Sequence, residues 1–306
     1  MNYLNLGGNS DLKVSQVALG CMRMTSLNEK EATSLLETTV SEGINFFDHA
    51  DIYGGGECET LFGKALKASS INRDSIFVQS KCGIREGSFD FSKEHIINAV
   101  DGSLARLGVD YLDVLALHRP DTLVEPEEVA AAFDYLEQSG KVRHFGVSNQ
   151  KPMQIELLKK SVKQPLLVNQ LQFGVKASGL VDQGFNVNMK NEASFEHDGS
   201  VLDYSRLHDM TIQAWSPYQY GFFEGVFLGN DKFPKLNATI DKIAAKYGVT
   251  NTGIATAWIS RHPANMQTIL GTMKESRVKE VALASDIVLT REEWYEIYRA
   301  AGNVLP

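Results

Sequence analysis

Eight short apolar runs recur along this chain of 306 residues, and most are followed by a stretch with helical spacing. They are Val14 to Leu19, Ile44 to Phe47, Ile76 to Ser80, Tyr111 to Leu117, His144 to Val147, Leu166 to Leu171, Thr211 to Trp215 and Thr268 to Leu270. Runs this short, bounded by turn residues or charges, predict buried strands rather than helices. The intervening patterns predict helices. Asn28 opens one with Ala32, Leu35, Leu36 and Val40 on one face, and others span Glu57 to Leu66, Lys93 to Leu107, Pro126 to Glu137 and Pro152 to Ser161. Ile240 to Tyr247, Thr252 to Arg261 and Ser276 to Ala284 complete the set. Alternating strands and helices build parallel sheet, and eight units close it into a (β/α)8 TIM barrel, an α/β fold of typically about 250 residues.

The surplus residues belong outside those units. Gly7-Gly8 and Asn9 signal an N-terminal hairpin that closes one end of the core. Two long βα loops are expected: the polar stretch Phe173 to Gly199, and Ser216 to Pro234, which gathers Tyr218, Tyr220, Phe222, Phe223, Phe227 and Phe233. The second reads equally well as a cover over a flat ligand or as a satellite hydrophobic cluster. No linker or composition shift divides residues 1–306, so a single domain is expected.

Composition narrows the function. With 30 basic and 38 acidic residues the formal net charge is -8, which disfavours a nucleic-acid partner. No apolar stretch reaches the roughly 18 residues of a membrane span, and the first residues lack the basic and apolar regions of a signal peptide. A cytoplasmic protein is expected. Cys21, Cys58 and Cys82 form no CxxC or Cys/His cluster, which argues against a disulfide framework and against a metal site. Cys82 reads as an ordinary small buried side chain.

The chemistry is written at the strand ends. In GINFFDHADIYG the second run stops at Asp48, and Tyr53 follows five residues later beside Gly54, Gly55 and Gly56. The third run ends on Lys81 and the fourth on His118. Singly, Asp48 reads as a turn cap, Lys81 as a surface charge, His118 as a strand-end histidine and Tyr53 as a packing residue. Jointly, parallel strands carry such residues to one crevice at their carboxyl ends. There, an ammonium from Lys81 lowers the pKa of the Tyr53 phenol, Asp48 keeps that ammonium charged, and His118 polarises a carbonyl. Donating a proton to a carbonyl oxygen is half of a reduction, and the missing hydride calls for a nicotinamide cofactor. GxGxxG is absent, so a Rossmann mode is not expected. Gly271, Thr272 and Lys274 instead open a helix containing Arg277, a seat for an adenosine phosphate.

These motifs resemble, end to end, the aldo-keto reductases. The resemblance rests on GINFFDHADIYG, Lys81 after a strand, LALHRPD, GKVRHFGVSN, the Asn169-Gln170 pair, Trp215-Ser216-Pro217 and GTMKESRVKE. It is strongest to a bacterial subgroup with DHADIYG. It implies a tetrad of Asp48, Tyr53, Lys81 and His118, with Tyr53 the acid in reduction and the base in oxidation. It further implies that Trp215 stacks on the nicotinamide and that Ser148, Asn149 and Gln170 bind its carboxamide, with Gly20 and Met22 near the reacting ring. Ser216 and Tyr218, with Pro217 between them, fall at the pyrophosphate, and Gly271, Thr272, Lys274, Arg277 and Glu280 at the adenosine end. Gly271 stands where many members have a lysine, and Val281 where many have an asparagine. NADPH is the expected cofactor, NADH the second candidate, and a small-molecule carbonyl the substrate of a monomer. Two other readings stand beside this one: a nucleotide-binding redox sensor or accessory subunit, and a barrel hydrolase using Asp48 and His118. The hydrolase lacks a metal cluster or nucleophile elbow.

Overall fold

The computed structural model describes all 306 residues. Its centre is a closed barrel of eight parallel strands: β1 (Val17–Gly20), β2 (Phe46–Asp48), β3 (Phe77–Cys82), β4 (Leu112–Leu117), β5 (Val142–Ser148), β6 (Leu166–Gln172), β7 (Thr211–Trp215) and β8 (Met266–Leu270). Neighbours in the chain are neighbours in the barrel, and β8 pairs back onto β1. Every apolar run therefore supplies a strand. Lys81 lies inside β3 rather than at its end, and the run Val14 to Leu19 is broken in two. Ser15 turns the chain there: its N–H donates to Asn45 Oδ1 at 2.7 Å and its hydroxyl to the Val17 carbonyl at 2.6 Å.

The residues before that break form the expected hairpin, with Tyr3–Asn5 antiparallel to Lys13–Ser15. Leu6 and Val14 reach from it into a small apolar cluster with Ala18, Phe46, Val114 and Ile269, which closes the amino end of the barrel. A barrel sealed at that end opens only at the other.

The helices form the outer ring. In chain order they are α1 (Glu29–Ser41), α2 (Glu57–Ala68), α3 (Lys93–Leu107), α4 (Pro126–Gln138), α5 (Pro152–Lys159), α6 (Gly179–Phe185), α7 (Val201–Leu207), α8 (Pro234–Tyr247), α9 (Asn251–Ser260), α10 (Glu275–Leu283) and α11 (Arg291–Ala300). Local chemistry sets their limits. Asn28 and Glu31 form a capping box on α1, Ser92 caps α3, and Gly108 ends α3 in the left-handed region at φ 65°. Pro234 opens α8 well before Ile240, because proline is tolerated at a first helical position. No helix is long and apolar enough to cross a membrane.

Three elements depart from the sequence expectation. The stretch Phe173 to Gly199 is not wholly irregular, since it contains α6; α7, a further helix, precedes β7. Helix α11 lies beyond the eighth strand-helix unit. It is pinned to α9 by two tryptophans whose rings stack at 4.6 Å, each indole N–H donating to the other's backbone carbonyl. The aromatic segment does both things its composition allowed: Tyr220 and Phe227 are buried in the second core cluster, whereas Phe222 and Phe223 stand exposed at the open end of the barrel. All three cysteines are buried and unpaired, and burial pushes the Cys82 thiol up.

His49, the residue after β2, points out of the barrel into the helix layer. Its ring is edge-on to Phe62 at 4.5 Å, and neither ring nitrogen has a partner. Burial, with the charge of Lys81, holds its pKa near 3, so the folded chain resists a proton that the unfolded chain accepts near pH 6.5. Stability is therefore lost as pH falls from about 6.5 toward 3. Replacing His49 with Leu removes this term. Between pH 7.5 and 5.5 the urea-unfolding free energy of the parent should fall by about 1–2 kcal/mol more than that of His49→Leu; parallel curves contradict the assignment.

Candidate active site

The strand register brings the ionisable residues together. Asp48 lies opposite Gly20 on β1 and Gln79 on β3, Lys81 opposite Ala116 on β4, and the His118 N–H donates to the Cys82 carbonyl. Tyr53 enters from the loop after β2, on a short 3-10 turn whose Gly54, Gly55 and Gly56 all have positive φ. At Gly56 a Cβ would also meet the Arg106 side chain at 2.8 Å, whereas Gly55 has open space, so angle favours glycine throughout the run and space adds to it at Gly56. The Tyr53 and His118 rings meet edge-on at 5.9 Å, and Lys81 Nζ lies 5.1 Å from the Tyr53 ring centre.

Lys81 is fully buried. Its ammonium donates to both Asp48 oxygens, at 2.7 and 2.8 Å, and to the His49 carbonyl at 2.6 Å. Burial alone lowers a lysine pKa, but Asp48 and then Tyr53 oppose it and the net shift is upward, so Lys81 is a cation. Tyr53 departs from the expected direction. Burial raises its phenol above the usual value by more than the Lys81 charge and hydrogen bond lower it, and Asp48 adds to the rise. The phenol is therefore a neutral acid at pH 7, with a cation in place to receive the phenolate. His118 is held near pKa 2 by burial, then by Lys81 and Arg119, and its Nδ1 has no partner. A neutral imidazole can offer a hydrogen bond without competing for the proton.

Below the ion pair lies a group of residues the sequence reading missed. Gln79 Nε2 donates to Asp48 Oδ1 at 2.7 Å and to Gln213 Oε1 at 2.8 Å. Gln213 Nε2 donates back to Gln79 Oε1 at 3.1 Å and on to Gln267 Oε1 at 2.9 Å, and Gln267 Nε2 ends the chain on the Ser15 carbonyl at 2.8 Å. The three glutamines are fully buried. Their signal was present: each is a long polar residue within a buried strand, and Gln170, Gln213 and Gln267 share one rung of the barrel.

The open end of the barrel holds a cavity of about 580 Å³. Of the residues singled out from sequence, Gly20, Met22, Asp48, Tyr53, His118, Ser148, Asn149, Gln170, Trp215, Ser216, Pro217, Tyr218, Gly271, Thr272 and Arg277 line it. Lys81 sits behind Asp48, while Lys274 and Glu280 are not part of the lining. Asn149 and Ser216, each directly after a strand, both take positive φ, 57° and 49°, an uncommon conformation for residues other than glycine. Asn149 accepts from the Trp215 indole at 3.2 Å and donates to Ser148 Oγ at 2.7 Å. Two residues differ from their expected contacts. Gln170 turns its amide nitrogen inward to Asp48 at 3.0 Å and Gln213 at 3.2 Å, and the Tyr218 hydroxyl is engaged with Thr256 at 2.6 Å. Asn251 and Thr252, at the start of α9, line the cavity and were not anticipated. A second cavity, of about 620 Å³ under α6 and α11, contains none of these groups.

Comparison with known proteins places the chain in a family. The model of the Aldo/keto reductase family matches residues 16–301. The chain belongs to the aldo/keto reductase family. Similar members include an uncharacterized oxidoreductase, YcsN, of Bacillus subtilis, 35% identical over 95% of both chains, and the 6-dehydroglucose reductase of Agrobacterium fabrum, 32% identical over 95% of both. The crystal structure of an aldo-keto reductase from Klebsiella pneumoniae in complex with NADPH shares the fold, with a TM-score of 0.79 at 24% identity, covering 100% of this chain and 98% of that one.

The buried amide chain of this family member makes a direct prediction. Gln213→Leu removes the acceptor of Gln79 and Gln170 and the donor to Gln267, leaving several buried polar groups unpaired. Unfolding in urea should show a loss of about 3 kcal/mol or more, whereas a loss typical of an exposed site, within about 0.5 kcal/mol, would show that the amides carry no load.

Proposed function

We propose that this protein reduces an aldehyde or ketone to its alcohol with a nicotinamide cofactor, NADPH in preference to NADH, and that Tyr53 delivers the proton. One observation carries the reading: a phenol kept neutral by burial stands beside a fully buried, carboxylate-held ammonium, at the mouth of a cavity shared with a neutral histidine. The cavity suits the cofactor. Trp215 offers a ring face, Ser148 and Asn149 offer polar groups beside it, and Thr272 and Arg277 stand at the start of α10, where helix amides and a guanidinium favour phosphate. Gly271 has open space around it, and Gln219 Oε1 is buried without a partner. A reduced nicotinamide bound there supplies the hydride that the carbonyl carbon takes up.

The chain's own residues account for the other half. His118 donates a hydrogen bond to the carbonyl oxygen and orients it against Tyr53. As negative charge builds on that oxygen it becomes a stronger base than the phenolate, and the Tyr53 proton moves across. Lys81 then stabilises the phenolate, and Asp48 fixes Lys81 and balances its charge. Ser148 and Asn149 hold the carboxamide in this scheme, and Gln170, whose amide nitrogen is engaged inward, offers only its carbonyl oxygen. Lys274 and Glu280, outside the cavity lining, are assigned to the adenosine end on sequence alone. The name of the Agrobacterium relative, a dehydroglucose reductase, supports reduction as the direction of interest.

Tyr53→Phe removes a single oxygen. Carbonyl reduction followed at the nicotinamide absorbance band should fall by roughly 10² to 10⁴-fold, while NADPH still quenches the intrinsic fluorescence with parental affinity. Turnover at the parental rate would falsify the assignment of Tyr53.

A further inference from the structure

We infer that the substrate carries a carboxylate in addition to its carbonyl group, and that Arg119 binds it. This rests on the carbonyl reduction proposed above and specifies its substrate class.

Arg119 follows His118 directly and lines the cavity, half-buried, with its guanidinium 5.8 Å from the Trp215 ring centre. It makes no ion pair and no hydrogen bond within the protein. The other half-buried arginines are all engaged: Arg73 with Asp113 at 2.7 Å, Arg106 with Glu59 at 2.8 Å, and Arg261 with the Leu289 carbonyl at 2.6 Å. Only one carboxylate lines the cavity, that of Asp48, and it is committed to Lys81. A half-buried guanidinium that lines a cavity without a counter-ion, in a chain of net charge -8, is suited to bind an anion.

Position assigns that anion to the substrate. Arg119 stands at the Tyr53 and His118 end of the cavity, directly after His118 in the chain and with its guanidinium toward the Trp215 ring. The phosphate-binding features, Thr272 and Arg277, belong to the loop and helix after β8. One partly desolvated guanidinium balances one charge, which fits a carboxylate better than a phosphate dianion, and its planar fork matches the two carboxylate oxygens. Trp215 and Phe223, whose ring centres lie 6.1 Å apart, give this end of the cavity an aromatic wall for the carbon skeleton that joins carbonyl and carboxylate.

The test compares 4-formylbenzoate with its methyl ester, which share ring and aldehyde and differ by one charge. With NADPH, the parent should favour the acid in kcat/KM by about 10- to 100-fold, the range of a charge-assisted hydrogen bond. Arg119→Met should bring the ratio of the two close to unity by raising KM for the acid, with KM for NADPH unchanged. Arg119→Lys, which keeps the charge and loses the fork, should restore part of the ratio. Equal kcat/KM for the two compounds with the parent, or a ratio that Arg119→Met leaves intact, overturns this inference alone. A rise in KM for NADPH with an unaltered ratio also overturns it, by making Arg119 a cofactor contact. Reduction of neither compound overturns the proposed function and this inference with it.

Discussion

A carboxylate and an ammonium, both withdrawn from water, sit at the centre of this barrel, and the rest of the interior is arranged to make them tolerable. Burying two such charges costs several kcal/mol each unless every remaining donor and acceptor is met. Here the requirement is met. Asp48 Oδ1 receives hydrogen bonds from Lys81, Gln79 and Gln170, and the Lys81 ammonium spends its donors on Asp48 and the His49 carbonyl. Because a carboxylate only accepts, it dictates which way the Gln79 and Gln170 amides face; these in turn orient Gln213, then Gln267, and the chain ends on the Ser15 carbonyl beside the hairpin. The polar interior is thus directional from its sealed floor to the open site.

Much of the fold was legible because burial periodicity is a local signal. All eight apolar runs became strands, and α3 was bounded at both ends by its own Ser92 cap and Gly108. The parts that were not legible depend on contacts distant in sequence. Helix α11 carries many charges, and what holds it is the stack of Trp294 on Trp258, 36 residues away. The division of the first run at Ser15 depends on Asn45, and α6 was hidden in a polar stretch rich in Gly and Asn.

The site divides in the same manner. Residues at or near strand ends could be placed together because register carries them to one face, and Asp48, Lys81 and His118 do meet there, although Lys81 lies one residue short of the end of its strand. The direction of the Tyr53 shift could not be, since it is a contest between burial and a nearby cation whose outcome depends on how completely the phenol is enclosed. Gln79, Gln213 and Gln267 were overlooked one by one because an isolated polar residue in a strand carries little information. Only the register that aligns Gln170, Gln213 and Gln267 makes them a network. Arg119 was likewise hidden in LALHRPD, and its unpaired state is a property of its surroundings.

The central claim is that the buried ion pair serves the phenol rather than the fold. Replacing both partners, Asp48→Asn with Lys81→Met, removes the charges together and avoids stranding either one, a change that need not destabilise a protein. The decisive measurement is the single-turnover rate of carbonyl reduction by this double variant loaded with NADPH. The account predicts a folded, cofactor-binding protein whose rate has dropped by roughly 10²-fold or more; a rate equal to that of the parent would contradict it.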